Sequence, residues 1–264
     1  MSDFDDKRKG TGTNEWSERT ENIQRGCSHN CLYCYASSNA VRFKLRERDD
    51  WAREELTKKA FITSYPKREG VIMFPSAHDI TPRNVDHYIR VATLMLEKGN
   101  RLLIVSKPHR ECVAKMCDAF ETFRDQILFR FTIGTMNNAV AAHWEPGAPP
   151  PSERIEALKM AFDLGYRTSI SAEPLLGGTE TAVTLMDAVR PYVTDTVWIG
   201  KMNKIRNRVD MTAPGNPAHA EAIEAAQTDA EVLRMVSILG ADPLVRWKDS
   251  VEEVMIKASC ESQK

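Results

Sequence analysis

Residues 71–75 read Val-Ile-Met-Phe-Pro, residues 84–98 read Asn-Val-Asp-His-Tyr-Ile-Arg-Val-Ala-Thr-Leu-Met-Leu-Glu-Lys, and residues 102–105 read Leu-Leu-Ile-Val. The outer two runs are short and continuously apolar, as strands buried on both faces are. Between them Val85, Tyr88, Ile89, Ala92, Met95 and Leu96 recur at three- and four-residue spacing, which gives a helix one apolar stripe. Gly99 falls where that helix must stop. Strand, crossover helix and strand in this order make a βαβ unit, whose two strands run parallel.

The same alternation extends in both directions. Further β-type runs lie at 22–25, 127–133, 167–171 and 195–199, and further helical patterns at about 39–59, 110–123, 152–164 and 179–190. Gly70 and Gly165 sit at expected exits, and Pro149, Pro150 and Pro151 keep the chain extended ahead of a helix start at Ser152. Six strands with at least five linking helices predict an α/β fold with a parallel sheet and helices outside it. Six units fall short of a complete eight-stranded barrel of ~250 residues, so the expected architecture is a partial, open (β/α)6 TIM-like barrel. The alanine-rich segment 217–239 reads as helix, and 243–260 as a terminal strand plus helix, a C-terminal helical extension. Residues 1–20 are polar and read as a flexible N-terminal arm, tied down near Trp16. Residues 21–264 form one barrel domain, with no repeat or linker to divide it.

The chain has 264 residues, 36 Lys and Arg against 37 Asp and Glu, and a formal net charge of −1. That balance excludes a strongly cationic nucleic-acid binder as the default while leaving room for a local basic patch. No apolar run approaches the roughly 18–20 residues that span a bilayer, and the charged first ten residues lack a signal-peptide core. A cytoplasmic protein without a membrane partner is expected.

Three of the six cysteines fall in one short stretch, Gly26-Cys27-Ser28-His29-Asn30-Cys31-Leu32-Tyr33-Cys34-Tyr35-Ala36. Clustered thiols in a reducing compartment point to metal rather than crosslinks. The loop follows the first predicted strand, at the end where parallel sheets place their chemistry. Three thiolates on a C-x3-C-x2-C loop suit a [4Fe–4S] cube and leave one iron open to a small chelator. The zinc alternative would add His29, or Cys112 or Cys117, as a fourth ligand, but no second paired knuckle is present. Cys112 and Cys117, five apart in a predicted helix, read as small buried apolar side chains.

Cys27, Cys31 and Cys34, with Tyr33 before the last of them, resemble the signature of the radical S-adenosylmethionine (radical SAM) superfamily. A looser likeness over about residues 20–200 resembles its spore photoproduct lyase-like branch. It includes Ser76-Ala77-His78-Asp79, Ser106-Lys107 and Trp144-Glu145-Pro146. The resemblance implies a [4Fe–4S] cluster on Cys27, Cys31 and Cys34 and bound S-adenosylmethionine. Tyr33 would lie against its adenine, Asp79 with His78 near its amine, Lys107 near its carboxylate and Thr132 near its ribose, with Asn137 and Asn138 as alternatives for the ribose. It also implies reductive cleavage to a 5′-deoxyadenosyl radical that abstracts hydrogen from a substrate, and an external electron donor such as a flavodoxin or ferredoxin. Spore photoproduct lyases carry a cysteine hydrogen-atom donor after strand two. Here Ser76 stands in that region, so the lyase's substrate does not carry over.

Three further residues are catalytic candidates. Glu145 and Glu173 precede prolines after predicted strands four and five, where a carboxylate could hold substrate or orient an arginine, and His143 adjoins Trp144. Lys201, Lys204, Arg206 and Arg208 follow predicted strand six, at the barrel mouth, where they could receive a phosphate-bearing nucleotide or nucleic acid. The cations at 42–48 read as a solvated helix face. The alternative to an enzyme is a zinc- or iron–sulfur-stabilised nucleic-acid-binding module without radical chemistry.

Overall fold

A computed structural model describes residue 4 and residues 10–261 of the chain. Along the sequence the elements are β1 (Arg19–Thr20), β2 (Gln24–Arg25), α1 (Tyr35–Arg42), β3 (Glu55–Leu56), β4 (Val71–Met73), α2 (Val85–Leu96), β5 (Arg101–Ser106), α3 (Arg110–Ala119), β6 (Ile127–Thr132) and α4 (Asn138–Trp144). They continue with α5 (Pro151–Asp163), β7 (Arg167–Ala172), α6 (Thr179–Val189), β8 (Val197–Ile199), α7 (Ile205–Arg208), α8 (Asn216–Ala226), α9 (Asp229–Leu239), β9 (Val245–Trp247) and α10 (Asp249–Glu261). A seven-stranded sheet has the order β1-β4-β5-β6-β7-β8-β9, every adjacent pair parallel, and its two edges do not pair with each other. This is the unclosed TIM-like barrel expected, with the terminal strand and helix of 243–260 added at one edge. No helix among the described residues is long and apolar enough to cross a membrane.

Two local readings change. The segment 22–25 does not supply the first barrel strand. Arg19 and Thr20 pair with Ile72 and Met73, whereas Gln24 and Arg25 pair antiparallel with Leu56 and Glu55. The helix predicted over 39–59 ends at Arg42. Lys44 is left-handed (φ 55°), Leu45 N–H closes the end on the Ala40 carbonyl, and the following residues run as turns into β3. The charged Arg-Glu-Arg-Asp-Asp run offers no apolar stripe to hold a longer helix against the sheet.

Strand alternation separates two cores. Ile72, Leu102, Ile104, Phe129, Phe131, Ile170 and Ile199 face outward under the helices, together with Cys112 and Cys117. Val71, Met73, Leu103, Leu128 and Trp198 face inward and pack with Phe4 and Trp16. The N-terminal segment therefore enters the barrel rather than lying on it (residues 1–3 and 5–9 of the expected arm lie outside the described residues). Trp16 meets Trp198 edge-on at 5.8 Å between centroids, and the Arg130 guanidinium lies 4.8 Å above the Trp16 ring. Lys248, fully buried just after β9, donates to the Gly12 carbonyl at 2.9 Å and pairs with Glu15 at 3.2 Å and Glu173 at 3.3 Å. One ammonium thus ties the segment around Gly12 and Glu15 to the end of β7 and to the far edge of the sheet.

Removing one partner of a buried ion cluster leaves charge in low dielectric. Lys248→Met, which keeps the side-chain length, is expected to destabilise the fold by about 3–5 kcal/mol in urea unfolding. Adding Glu15→Gln to that variant is expected to restore part of the loss.

Candidate functional site

The strand ends open on one cavity of about 1050 Å³, lined by Cys27, Cys31, Cys34, Tyr33, Asp79, Lys107, Thr132, Ser171, Glu173 and Lys201 among others. Each lies at or just beyond the carboxyl end of a strand, where this architecture places chemistry. Register fixes two of them. Thr132 pairs with Ser171, and both point inward from the last turn of β6 and β7.

The three-cysteine loop is clamped from several sides. Cys27 N–H donates to Trp51 O at 2.9 Å, and Leu32 N–H to Trp144 O at 2.9 Å. Gly147 N–H donates to His29 O at 3.0 Å, and a Cβ on Gly147 would meet Ser28 O at 2.1 Å, so only glycine allows this approach. Gly26 (φ +75°) turns the chain into the loop, with Arg53 O 2.2 Å from where a Cβ would stand. Asn30, left-handed at φ 49°, and the Cys34 N–H to Cys31 O bond at 3.2 Å coil the backbone. Cys34 then caps α1, its sulfur accepting from Ser37 N–H at 3.4 Å.

Asp79 is the hub beside that loop. Its Oδ1 accepts from Lys107 N–H at 2.7 Å and Ser106 O–H at 3.0 Å, and its Oδ2 faces His29 Nδ1 at 2.9 Å and Lys107 Nζ at 3.7 Å. Burial alone would raise the Asp79 pKa, but the Lys107 cation and the His29 hydrogen bond hold it well below the usual carboxylate range. The ion pair keeps buried Lys107 charged in turn. Lys107 Nζ also stands 5.7 Å from the centre of the Tyr33 ring.

Cys27, His29 and Asp79 bring ligand atoms within 4.8 Å of one another. Both His29 nitrogens are engaged, Nδ1 with Asp79 and Nε2 with His109 Nε2 at 2.9 Å, so the ring is a strut between elements rather than a free fourth ligand. Cys112 and Cys117 are buried in the outer core under the helices, apart from the loop. The donor set that faces the cavity is therefore three thiols. Burial raises all three pKa values, that of Cys31 to about 12, with Lys107 the largest opposing influence on Cys31. Thiols held protonated by desolvation become thiolates when a metal's positive charge enters the same dry pocket. A cluster that takes three cysteines and leaves one iron for a small ligand fits this donor set.

Other candidates fall elsewhere. Glu145 is buried and pairs with Arg154 at 2.6 Å, both side chains 1% exposed, while the Tyr33 hydroxyl donates to its other oxygen. Arg154 in turn donates to Pro149 O at 2.7 Å and Thr132 O at 3.3 Å. Glu145 thus orients an arginine and holds Tyr33. It does not line the cavity. His78 lines the cavity, but its nitrogens are spent on Ile23 N–H at 3.3 Å and Asp79 O at 3.0 Å. His143 stacks on His219 at 3.6 Å between centroids, away from the cavity lining. Glu173 faces the cavity, its pKa raised by burial against the pull of Lys248. Asn137 caps α4 through its side chain, so neither it nor Asn138 meets the cavity. Lys201, Lys204 and Arg208 line the cavity, whereas Arg206 points away and pairs with Glu224 at 2.6 Å.

Several contributors were not foreseen. Ser171 sits inside a run read only as strand. Thr11, Gly12, Thr13 and Trp16 reach the cavity from the arm. Arg154 had one visible signal, a cation on the apolar side of its helix. His109 had none.

Comparison with known proteins agrees with this geometry. The family model of the Radical SAM superfamily matches residues 22–190. A protein of Acidianus two-tailed virus, Uncharacterized protein ORF301, is 27% identical over 169 residues, 58% of this chain and 54% of that one. The chain thus spans about half the length of the curated relative it matches. Among solved structures, a spore photoproduct lyase mutant with dinucleoside spore photoproduct aligns with a TM-score of 0.53 and 15% identity, over 93% of this chain and 78% of that one. Another mutant of that lyase, with bound AdoMet and dinucleoside spore photoproduct, aligns at 0.54 and 14% identity, over 88% and 76%. At such identities the likeness is one of fold.

Burial first, and His219 second, lower the His143 pKa. Between that lowered midpoint and the ordinary one the unfolded chain binds more protons than the folded one, so His143 costs stability as pH falls through about 6.5. His219→Asn is expected to raise the His143 midpoint in an NMR titration and to flatten the acid side of the stability profile.

Proposed function

This chain belongs to the radical SAM superfamily, and we propose that its substrate is a nucleotide or nucleic acid, received at the cavity mouth by Lys201, Lys204 and Arg208. The chain is a radical SAM enzyme, with a [4Fe–4S] cluster and S-adenosylmethionine as cofactors. Membership in an enzyme family sets aside a purely metal-stabilised binding module. The observation that carries the finer reading is that three thiols of one loop and three mouth cations open on the same cavity.

In this reading Cys27, Cys31 and Cys34 hold the cluster. When bound, the cofactors supply one-electron cleavage of S-adenosylmethionine to methionine and a 5′-deoxyadenosyl radical, which takes hydrogen from the substrate. The chain's own residues orient and shield. Lys107 supplies a fixed cation for the carboxylate of S-adenosylmethionine. Asp79, whose Oδ2 accepts from the Cys27 thiol at 3.9 Å only while that sulfur carries a proton, takes a hydrogen bond from the amine once Cys27 is a cluster ligand. Tyr33, fixed through Glu145, offers its ring to the adenine. Thr132 and Ser171 present hydroxyls to the ribose. Glu173, held by Lys248, is a carboxylate for the substrate side.

Support for the substrate class is electrostatic. Lys204 and Arg208 form no ion pair among the described residues, and Asn203 and Asn207 beside them add polar side chains to the lining. Phosphate is the anion such a mouth suits, and some of the similar folds carry a dinucleoside ligand. Ser76 occupies the cavity wall with its hydroxyl accepting from Asn22 at 2.9 Å. A serine O–H bond is too strong to replace a thiol as hydrogen donor, so the reaction we propose is not photoproduct repair by that route. A reducing, cytoplasmic setting and a separate electron donor complete the proposal.

Anaerobic reconstitution is expected to give about four irons per chain and 5′-deoxyadenosine with dithionite. Cys31→Ala is expected to lose both, and a variant retaining them would overturn the ligand assignment. Lys204→Ala with Arg208→Ala is expected to weaken oligonucleotide binding about tenfold and to lower the slope of log affinity against log salt by about 1–2. Binding that stays intact with an unchanged slope would overturn the substrate class.

A further inference from the structure

Nine large apolar side chains are exposed among the described residues, and four of them, Tyr35, Val41, Phe43 and Leu45, fall within eleven residues. Phe43 is 62% exposed and Leu45 63%. Their position follows from how α1 ends. Lys44 takes the left-handed conformation usually left to glycine, at φ 55°. Leu45 then follows where such helix ends commonly fold an apolar residue back, yet here it stands in solvent. The cost of a non-glycine residue in that conformation is about 1–2 kcal/mol. Phe43 and Leu45 flank that residue, and both stand outward.

This patch lies close to the three-cysteine loop along two routes. Helix α1 runs from Cys34, its cap, to Arg42, about 12 Å at 1.5 Å per residue. Arg48, just past Leu45, donates to the Asn30 side chain and to the backbone carbonyls of Asn30 at 3.3 Å and Cys31 at 3.5 Å. The charge around the apolar side chains is positive. Arg42 lies 5.5 Å over the Phe43 ring, Lys44 stands next to it, and neither is in an ion pair among the described residues. Arg46 by contrast is taken up by Glu55 and Asp50, and exposed Glu47 and Asp49 bound the patch on the far side.

We propose that Val41, Phe43, Lys44 and Leu45 form the docking surface for an acidic one-electron carrier protein of the flavodoxin or ferredoxin kind. The inference rests on the radical SAM reading above, since only that chemistry demands an electron from outside. One electron leaves the carrier's reduced cofactor and enters at the three-cysteine loop, and no atom changes hands. Apolar contact supplies the centre of the interface, and the cations steer an acidic partner and exclude a basic one. Phe43, Lys44 and Leu45 lie outside the cavity lining, so they can be altered without touching cofactor or substrate contacts.

The test uses the reconstituted full chain with two reductants. Phe43→Ser with Lys44→Glu is expected to lower 5′-deoxyadenosine formation about tenfold at limiting reduced flavodoxin, while iron content and the dithionite-driven rate stay within about twofold of the parent. Raising salt is expected to slow the flavodoxin-driven rate of the parent more than that of the variant. An unchanged flavodoxin-driven rate in the variant would overturn the surface. So would weakened oligonucleotide binding with unchanged donor kinetics, which would assign the patch to a nucleic-acid strand instead. A parent chain that forms no 5′-deoxyadenosine even with dithionite would sink the radical reading itself, a separate result.

Discussion

The half-buried Asp79 carboxylate is the constraint on which the site depends. It binds the amide and ammonium of Lys107, the hydroxyl of Ser106 and the ring of His29. Those partners come from the end of β5 and from the cysteine loop. The shared anion ties the loop to the end of β5, alongside the backbone clamps from Trp51, Trp144 and Gly147. The charge is tolerable in a dry place because a cation and several donors surround it. The same cation opposes desolvation at Cys31, so one lysine serves the carboxylate and the thiol together.

A second network works on the opposite flank. Arg154 neutralises Glu145, Glu145 fixes Tyr33, and Arg154 also reaches the Thr132 carbonyl. Two residues proposed for different parts of S-adenosylmethionine, Tyr33 and Thr132, are thereby held by a single guanidinium in α5. The two networks need rigid elements behind them, and both start from helices or strand ends packed in the outer core. The cavity can be roomy because its walls are set from outside.

What could be read from the sequence was what depends on local chemistry. The alternation of apolar runs and helical stripes revealed the parallel sheet, because buried strands and amphipathic helices each leave a period. The thiol spacing revealed the loop. Lys107, Asp79 and Thr132 came from the resemblance, and all three line the cavity. Contacts set by tertiary packing were not legible. Arg19 and Thr20 pair in a two-residue strand too short to carry a pattern, and Gln24 and Arg25 therefore looked like the better strand. The pairing of Glu145 with Arg154, nine residues on, is hidden behind four prolines and a helix start. Arg206 looked like its neighbours until Glu224, on a later helix, claimed it.

The bond between Lys248 and the Gly12 carbonyl joins positions 236 residues apart. Segment 11–16 is synthesised long before Trp198 and Lys248, on which it is seated. Contacts so distant along the chain carry a loop-closure cost that local contacts do not. Until they form, the inner face of the nascent sheet has no tryptophan lid, and the carboxylates of Glu15 and Glu173 lack their shared counter-ion. The inner core of the sheet is thus closed by two segments from opposite ends of the described fold.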